Sequence, residues 1–218
     1  MKESNYKKLV YNTAIFAIGN FGSKVLTFLI VPLYTYVLTT AEYGVIDLFI
    51  TSLGMVIPFS TMMVNEALIR YVLGKELTPK EAASNCFAVF LFGAAISVLF
   101  TPLYKVAFDF DEYIWIFVAL LVLRTFNQVF SEYFRAVNQN VKFTIFGLIT
   151  TATILGFNVV FLLFLKLGIR GYLYATLLSA AVGALYILIF SDFFQVVSLK
   201  CIDKNTIRML LKYSVPLI

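Results

Sequence analysis

Residues 20–36, NFGSKVLTFLIVPLYTY, place one lysine inside an otherwise apolar run. Lys24 is the only charged residue between Leu9 and Glu42. An α-helix rises about 1.5 Å per residue, so a run of this length can cross the roughly 30 Å hydrocarbon core of a bilayer. The stretch predicts a membrane-spanning helix that carries a cation near the bilayer midplane.

The composition extends this prediction to the whole chain. Its 218 residues are 61% hydrophobic and 13% charged, with a mean hydropathy of +0.91, whereas soluble domains have about 25% charged residues. Because a span needs roughly 20 apolar residues, division at charges, glycines and prolines predicts an all-α, polytopic membrane helix bundle. Its six spans are residues 11–38, 43–71, 82–107, 112–136, 142–166 and 171–197.

The two ends of the chain each allow two interpretations. The first apolar run is longer than the roughly 7–15 residues of a signal-peptide core and no A-x-A-like site closes it, so we interpret it as an uncleaved helix. Residues 201–218 are predicted to form a cytoplasmic linker and the start of a seventh helix, because RMLLKYSVPLI opens a new apolar run. A short hydrophobic tail is the alternative; we favour a chain that is the first part of a longer protein.

Lysine and arginine are distributed unevenly between the two ends of the spans, and such residues accumulate in cytoplasmic loops. One side holds Lys2, Lys7, Lys8, Arg70, Lys75, Lys80, Arg135, Lys142, Lys200, Lys204, Arg208 and Lys212, and the other holds Lys105, Lys166 and Arg170. This predicts a cytoplasmic N-terminus and linker. The net charge of +5 then reflects topology and contact with anionic membrane lipids, so no nucleic-acid partner is expected. Cys86 and Cys201 are expected as reduced thiols, and the lack of histidine leaves no obvious transition-metal cluster. No metal site and no cofactor are expected.

A second cation, Arg124, lies at about the depth of Lys24. A central cation costs roughly 2.5–3.5 kcal/mol on insertion scales, so both should face protein or a wet cavity rather than lipid. Polar residues recur on one helical face around Arg124: Asn127, Gln128, Ser131, Glu132, Arg135, Asn138 and Gln139. Such a stripe either lines a cavity or forms hydrogen bonds between helices.

Similar stripes occur in the first two spans. The first has Asn20, Lys24, Thr27 and Tyr34, and the second has Asp47, Thr51, Gly54, Pro58, Thr61 and Asn65. Asp47 and Glu132 are candidates for an ion pair with a central cation, and Asp47 alternatively for a coupling-ion site. Glu66 and Arg70 have the i, i+4 spacing that stabilises a helix; a cytoplasmic gate is the other interpretation.

Four segments in order carry a family resemblance: residues 12–48, NTAIFAIGNFGSKVLTFLIVPLYTYVLTTAEYGVIDL; residues 65–72, NEALIRYV; residues 167–179, LGIRGYLYATLLS; and residues 210–218, LLKYSVPLI. The chain resembles the amino-terminal half of the polysaccharide-biosynthesis flippases. These form the Wzx-like branch of the MOP superfamily, which also holds the lipid II flippases and the MATE multidrug exporters. None of the segments is a catalytic signature.

The resemblance implies two six-helix lobes around a cavity that opens alternately to each side of the bacterial cytoplasmic membrane, and residues 1–200 would form the first of these lobes. It implies flipping of undecaprenyl-diphosphate-linked oligosaccharide repeat units, without chemistry on them. Lys24 and Arg124 would contact the diphosphate, and Asn20, Asn127 and Gln128 would line the same site. A polysaccharide polymerase and glycosyltransferases are further implied partners.

Three alternatives are left open. A MATE-like cation-coupled drug antiporter would use intramembrane carboxylates such as Asp47 and Glu66, but two central cations would repel a cationic drug. A membrane enzyme of glycan assembly would need a substantial external loop, and the predicted outer loops are short. The third is a scaffolding or non-functional half-length fragment.

Overall fold

The structure is a computed structural model that describes Val25, Phe28 and residues 32–108 and 112–218. Within these residues the chain is helical and has no strand, which confirms the predicted all-α class. Residues 32–37 are helical. The helices that follow are α1 Thr40–Thr61, α2 Val64–Leu73, α3 Pro79–Leu99, α4 Thr101–Phe108, α5 Ile114–Ala136, α6 Asn140–Asn158 with a π-helical extension Val159–Phe164, α7 Gly168–Phe190, α8 Phe193–Val196 and α9 Lys204–Ser214.

Five of these helical segments are long and apolar enough to cross a membrane: Thr40–Thr61, Pro79–Leu99, Ile114–Ala136, Asn140–Phe164 and Gly168–Phe190. The protein is therefore a multi-pass membrane protein. Most of the first predicted span, residues 11–38, lies outside the described residues.

The second predicted span, residues 43–71, is two helices rather than one. Met62 and Met63 both adopt the left-handed conformation, with φ of 47° and 51°, and they separate α1 from α2. Pro58 precedes this break and has no N–H to donate within the helix. The Thr61 hydroxyl accepts a hydrogen bond from the Met63 amide at 3.1 Å, which satisfies a donor freed by the break.

The third predicted span, residues 82–107, also divides, because α3 ends at Leu99 and α4 begins at Thr101. Pro102 lies in the first turn of α4, where its missing N–H is tolerated but a continuous helix is not favoured. Thr78 and Glu81 form a capping box at the start of α3, and Thr39 and Glu42 form another at the start of α1. These caps set where both helices begin.

Helices α1 and α3 approach so closely that one glycine is required between them. A Cβ atom on Gly93 would lie 1.9 Å from the backbone oxygen of Ser60. Beside it, the hydroxyls of Ser60 and Ser97 are 2.7 Å apart and share a hydrogen bond. Small residues at a helix crossing are typical of membrane proteins, because apolar lipid gives no hydrophobic force between helices and close packing must hold them together.

Helix α5 is the centre of the bundle and contacts α1, α2, α3, α6 and α7. Phe126, Phe130 and Phe134 on one of its faces pack into a core formed with α2, α3, α7 and α9. Phe117 and Leu121 pack into a second core with α1 and α7. With so many neighbours, α5 can hold a polar side chain away from lipid, and this positions the site described next.

Candidate functional site: a cavity between α5, α6 and α7

A cavity of about 280 Å³ lies among the three helices α5, α6 and α7. Its wall is formed by Arg124, Asn127, Phe146, Thr150, Thr151, Ile154, Thr176, Ser179 and Ala180. Two of these, Arg124 and Asn127, are predicted site residues, and the structure brings them to the same cavity. A cavity that combines a guanidinium, an amide and four hydroxyl groups can solvate a polar group inside the membrane.

Arg124 supplies the charge of this cavity. Its neighbours Thr125 and Phe126 are buried, whereas Arg124 itself is partly exposed to the cavity. Among the described residues, no carboxylate lies within 4.0 Å of its guanidinium, and it donates no hydrogen bond. Its five N–H donors in a planar fork suit a carboxylate or a phosphate. The arrangement favours an anionic ligand.

Asn127 lies three residues after Arg124 and joins α5 to α7. Its Nδ2 donates a hydrogen bond to the backbone oxygen of Ala180 at 2.8 Å. The helices meet closely here, because a Cβ on Gly183 would lie 3.0 Å from Asn127 Nδ2. Asn127 Oδ1 is buried and accepts no hydrogen bond from any described residue. A buried acceptor without a donor is costly, so Oδ1 is an unsatisfied polar atom in a residue that lines the cavity.

Hydroxyl side chains of α6 and α7 complete the wall. Ser179 donates to the Thr150 backbone oxygen at 2.7 Å and lies 3.1 Å from the Thr153 hydroxyl. Thr151 and Thr176 donate to backbone oxygens one turn earlier in their own helices, at 2.8 and 2.9 Å. Each hydroxyl that donates in this way keeps lone pairs that can accept a hydrogen bond.

These hydroxyl residues were not predicted as site residues. The available signal is weak, namely the three threonines at 150, 151 and 153 within an apolar run. Serine and threonine commonly bond to the preceding turn in membrane helices. Only the meeting of α6 with α7 distinguishes those that face the cavity.

The other polar residues of the α5 stripe lie elsewhere. Gln128 is partly buried but does not line the cavity. Glu132, predicted as a partner for a central cation, is paired with Arg135, whose Nη1 lies 2.7 Å from Glu132 Oε2. Arg135 is three residues away on the same helix, so the two side chains meet within one helical turn. The guanidinium of Arg135 also lies over the Phe143 ring, with its carbon 5.4 Å from the centroid.

The polar stripe predicted along residues 47–65 does not continue as one face. Asp47, Thr51 and Gly54 are exposed on α1, whereas Thr61 and Asn65 are buried. The change from exposed Gly54 to buried Thr61 takes place within α1, and the left-handed residues 62 and 63 separate Asn65 from that helix, so its spacing does not carry over to Asn65. Asp47 forms no ion pair with any residue that the structure describes.

Glu66 and Arg70, predicted as an i, i+4 pair, do not form an ion pair in the described part of the chain. Glu66 instead accepts a hydrogen bond from Asn65 Nδ2 at 3.1 Å. Arg70 lies over two aromatic rings, 5.5 Å from the Tyr71 centroid and 4.8 Å from that of Tyr213. A cation over an aromatic ring is attracted by the quadrupole of the ring. The contact with Tyr213 therefore joins α2 to α9.

Two further predicted residues, Asn20 and Lys24, lie outside the described residues, so their place relative to the cavity stays a prediction. Among residues 32–108 and 112–218, no three His, Cys, Asp or Glu residues are grouped so that they could hold a metal ion.

An ion pair links the first turn of α7 to the residues just before α5. Arg170 donates a hydrogen bond to the Glu112 carboxylate, and both side chains are largely exposed. This hydrogen bond from the guanidinium is the main reason why the pKa of Glu112 is lowered. The pair connects two of the three helices that form the cavity.

Two solved structures have the same fold as this chain. An outward-facing multidrug resistance MATE family transporter of the MOP superfamily matches with a TM-score of 0.66 at 15% sequence identity, over 94% of this chain and 49% of that chain. A MATE crystal structure in the bent conformation matches with a TM-score of 0.65, at the same identity and coverage. The chain therefore spans about half the length of the structures it matches.

At this identity the two structures establish the fold of a MOP-type helical lobe. No curated protein is similar enough in sequence to match the chain. The family of polysaccharide biosynthesis proteins, in contrast, matches residues 9–218. The match covers nearly the whole chain and confirms the resemblance seen in the sequence: this chain belongs to the polysaccharide biosynthesis protein family.

Proposed function

We propose that this chain is the first lobe of a membrane transporter that flips undecaprenyl-diphosphate-linked oligosaccharide repeat units across the bacterial cytoplasmic membrane. The observation that carries the proposal is Arg124, a cation in a polar cavity with no carboxylate partner among the described residues. The family match and the MOP-type fold support it.

The cavity chemistry matches a diphosphate head group. A guanidinium binds phosphate oxygens through two parallel hydrogen bonds, and the serine and threonine hydroxyls of the wall keep lone pairs that can accept from a sugar hydroxyl. At about 30 Å³ per water molecule, a volume of 280 Å³ corresponds to about nine waters. That volume accommodates phosphate groups but not a whole oligosaccharide, so the sugars would extend from the cavity into the space between the two lobes.

Flipping needs no covalent step. The polar head must follow a hydrophilic path while the polyprenyl tail stays in lipid, and two lobe arrangements must interchange around the site. Lys24 and Asn20 are proposed to add to this path, and Gln128 is proposed to line it outside the cavity. The excess of basic residues at one end of the spans supports a cytoplasmic N-terminus. Glycosyltransferases and a polymerase would act before and after the flipping step.

The test is a transport assay with the full-length protein in liposomes. A fluorescent polyprenyl-diphosphate sugar should become accessible to an impermeant quencher on the opposite leaflet, at a rate that rises with the amount of protein. A cationic dye serves as the second substrate, because the MATE structures with the same fold make drug export the competing function. Transport of the dye without flipping of the diphosphate lipid would refute the proposal and favour an antiporter that uses Asp47.

A further inference from the structure

Helix α9, Lys204–Ser214, presents a row of cations on its exposed face. Lys204, Arg208 and Lys212 are spaced four residues apart and all three are exposed. Residues at this spacing lie above one another on one helical face. We call these three residues the basic row.

The opposite face of α9 is packed against the bundle. Leu210 is fully buried in the core that contains α2 and α3. The Tyr213 ring lies 5.9 Å from that of Tyr71 in an edge-to-face arrangement, and the Arg70 guanidinium lies over both rings. These contacts dock α9 at the junction of α2 and α3, where the sequence predicts the cytoplasmic surface.

The loop before α9 is attached to α3 by two fully buried side chains. Ser84 accepts a hydrogen bond from the Ser198 amide at 2.9 Å. Asn85 donates to the Cys201 backbone oxygen at 3.0 Å and accepts from the Asp203 amide at 2.8 Å. The loop and the packed face together orient α9 with its basic row on the exposed side.

No described carboxylate neutralises the basic row. Asp203, the nearest acidic residue in sequence, accepts hydrogen bonds from the Thr206 amide and hydroxyl at 2.8 and 3.0 Å and so caps the helix. None of the three cations forms an ion pair within the part of the chain that the structure describes.

An apolar groove lies directly beside these cations. Ile207, Leu211 and Val215 form an apolar stripe on the same helix and the turn after it, and together with the basic row they border an open surface hollow of about 620 Å³, which we call the groove. A row of cations beside an aliphatic stripe on one helix surface is complementary to an anionic amphiphile, and at a membrane surface the abundant anionic amphiphile is a phospholipid.

We propose that this groove binds one anionic phospholipid from the leaflet on the linker side. Arg208 contacts the phosphate through its planar fork, and Lys204 and Lys212 add charge on either side. An acyl chain lies along Ile207, Leu211 and Val215. The site is separate from the cavity at Arg124 and adds a lipid contact to the linker of the proposed transporter.

The test uses the full-length protein in nanodiscs of neutral phosphatidylcholine. Asn205→Cys in a Cys201→Ser background, labelled with an environment-sensitive fluorophore, reports on the groove while the buried Cys86 stays unlabelled. Short-chain phosphatidylglycerol should change the fluorescence at saturating concentration, whereas short-chain phosphatidylcholine should not. Juxtamembrane cations contribute about 1 kcal/mol each, so Arg208→Gln with Lys212→Gln should weaken binding about thirtyfold.

Lys75→Gln with Lys80→Gln is the matched control, since it removes two exposed cations from the same end of the molecule outside the groove. The control should bind phosphatidylglycerol as the parent protein does. An equal loss of phosphatidylglycerol affinity in both double variants would show that the lipid binds through general surface charge, and it would overturn the proposal. Competition by inorganic phosphate as strong as that by the lipid would make it a free-anion site. Failure of Asn205→Cys to react with a thiol reagent in neutral lipid would mean that another protein segment covers the groove.

Discussion

Replacing Arg124 by methionine should separate ligand binding from stability. In the described part of the chain, Arg124 has neither an ion pair nor a hydrogen bond. Arg124→Met therefore leaves no buried carboxylate without a partner, and it removes a central cation that costs roughly 2.5–3.5 kcal/mol on insertion scales. We expect the variant to melt at the same temperature as the parent or higher.

Binding of a diphosphate, in contrast to stability, should become weaker in Arg124→Met. A hydrogen bond to a charged group contributes about 1.5–3 kcal/mol, so loss of the guanidinium should weaken binding of a diphosphate roughly ten- to hundredfold. Farnesyl diphosphate is a tractable ligand for calorimetry on the detergent-purified full-length protein, and thermal unfolding of the same samples gives the stability.

Arg135→Met is the matched control. It removes a cation from the same helix but breaks the 2.7 Å pair with Glu132, whose side chain is only 16% exposed. We expect a stability loss on the order of 1 kcal/mol with diphosphate affinity unchanged. If Arg124→Met instead destabilises the protein as much as Arg135→Met does and leaves affinity at the parent value, Arg124 is structural and the anion site lies elsewhere.

Three further outcomes follow from the packing, the capping and the charge distribution. Gly93→Ala should lower the melting temperature by several degrees or prevent accumulation, because its Cβ would meet a backbone oxygen at 1.9 Å, whereas Gly147→Ala, with no such neighbour within 4 Å, should not. The pKa of Asp203 is lowered chiefly by the Thr206 amide hydrogen bond, so its capping contribution is complete above the unfolded value of about 3.9 and is lost as the pH falls through the lower folded value. The protection of α9 amides against hydrogen exchange, corrected for the intrinsic exchange rate at each pH, should fall on that acidification, and Asp203→Ala should remove this change in protection. In intact cells an impermeant thiol reagent should label Lys166→Cys but not Lys200→Cys in a Cys201→Ser background; the reverse pattern would invert the topology.

Much of the architecture follows from local properties of the sequence. Apolar length and charge spacing predict an all-helical membrane bundle, because the insertion free energy of a span is a sum over its own residues. The same reasoning places Arg124 on an inward face, since lipid exposure of a central cation is too costly. It also predicts Asn127 as a site residue, because Asn127 lies on the same polar helical face as Arg124.

The residues that surround Arg124 are determined by the tertiary structure. Thr150 and Ser179 belong to helices with little polar pattern, and they reach the cavity only because α6 meets α7 there. The break at Met62 and Met63 likewise depends on how α1 and α2 pack, and regular spacing predicts a continuous stripe across it.

The contacts of charged residues likewise depend on the tertiary structure. The i, i+4 spacing along one helix predicts that Arg70 pairs with Glu66. In the structure Arg70 lies over Tyr71 and Tyr213, and Tyr213 is more than 140 residues away in sequence. Hydropathy measures the cost of placing a side chain in lipid and is additive along the chain. A contact depends instead on two surfaces meeting at a given distance and orientation, and this is determined only when the helices are packed together.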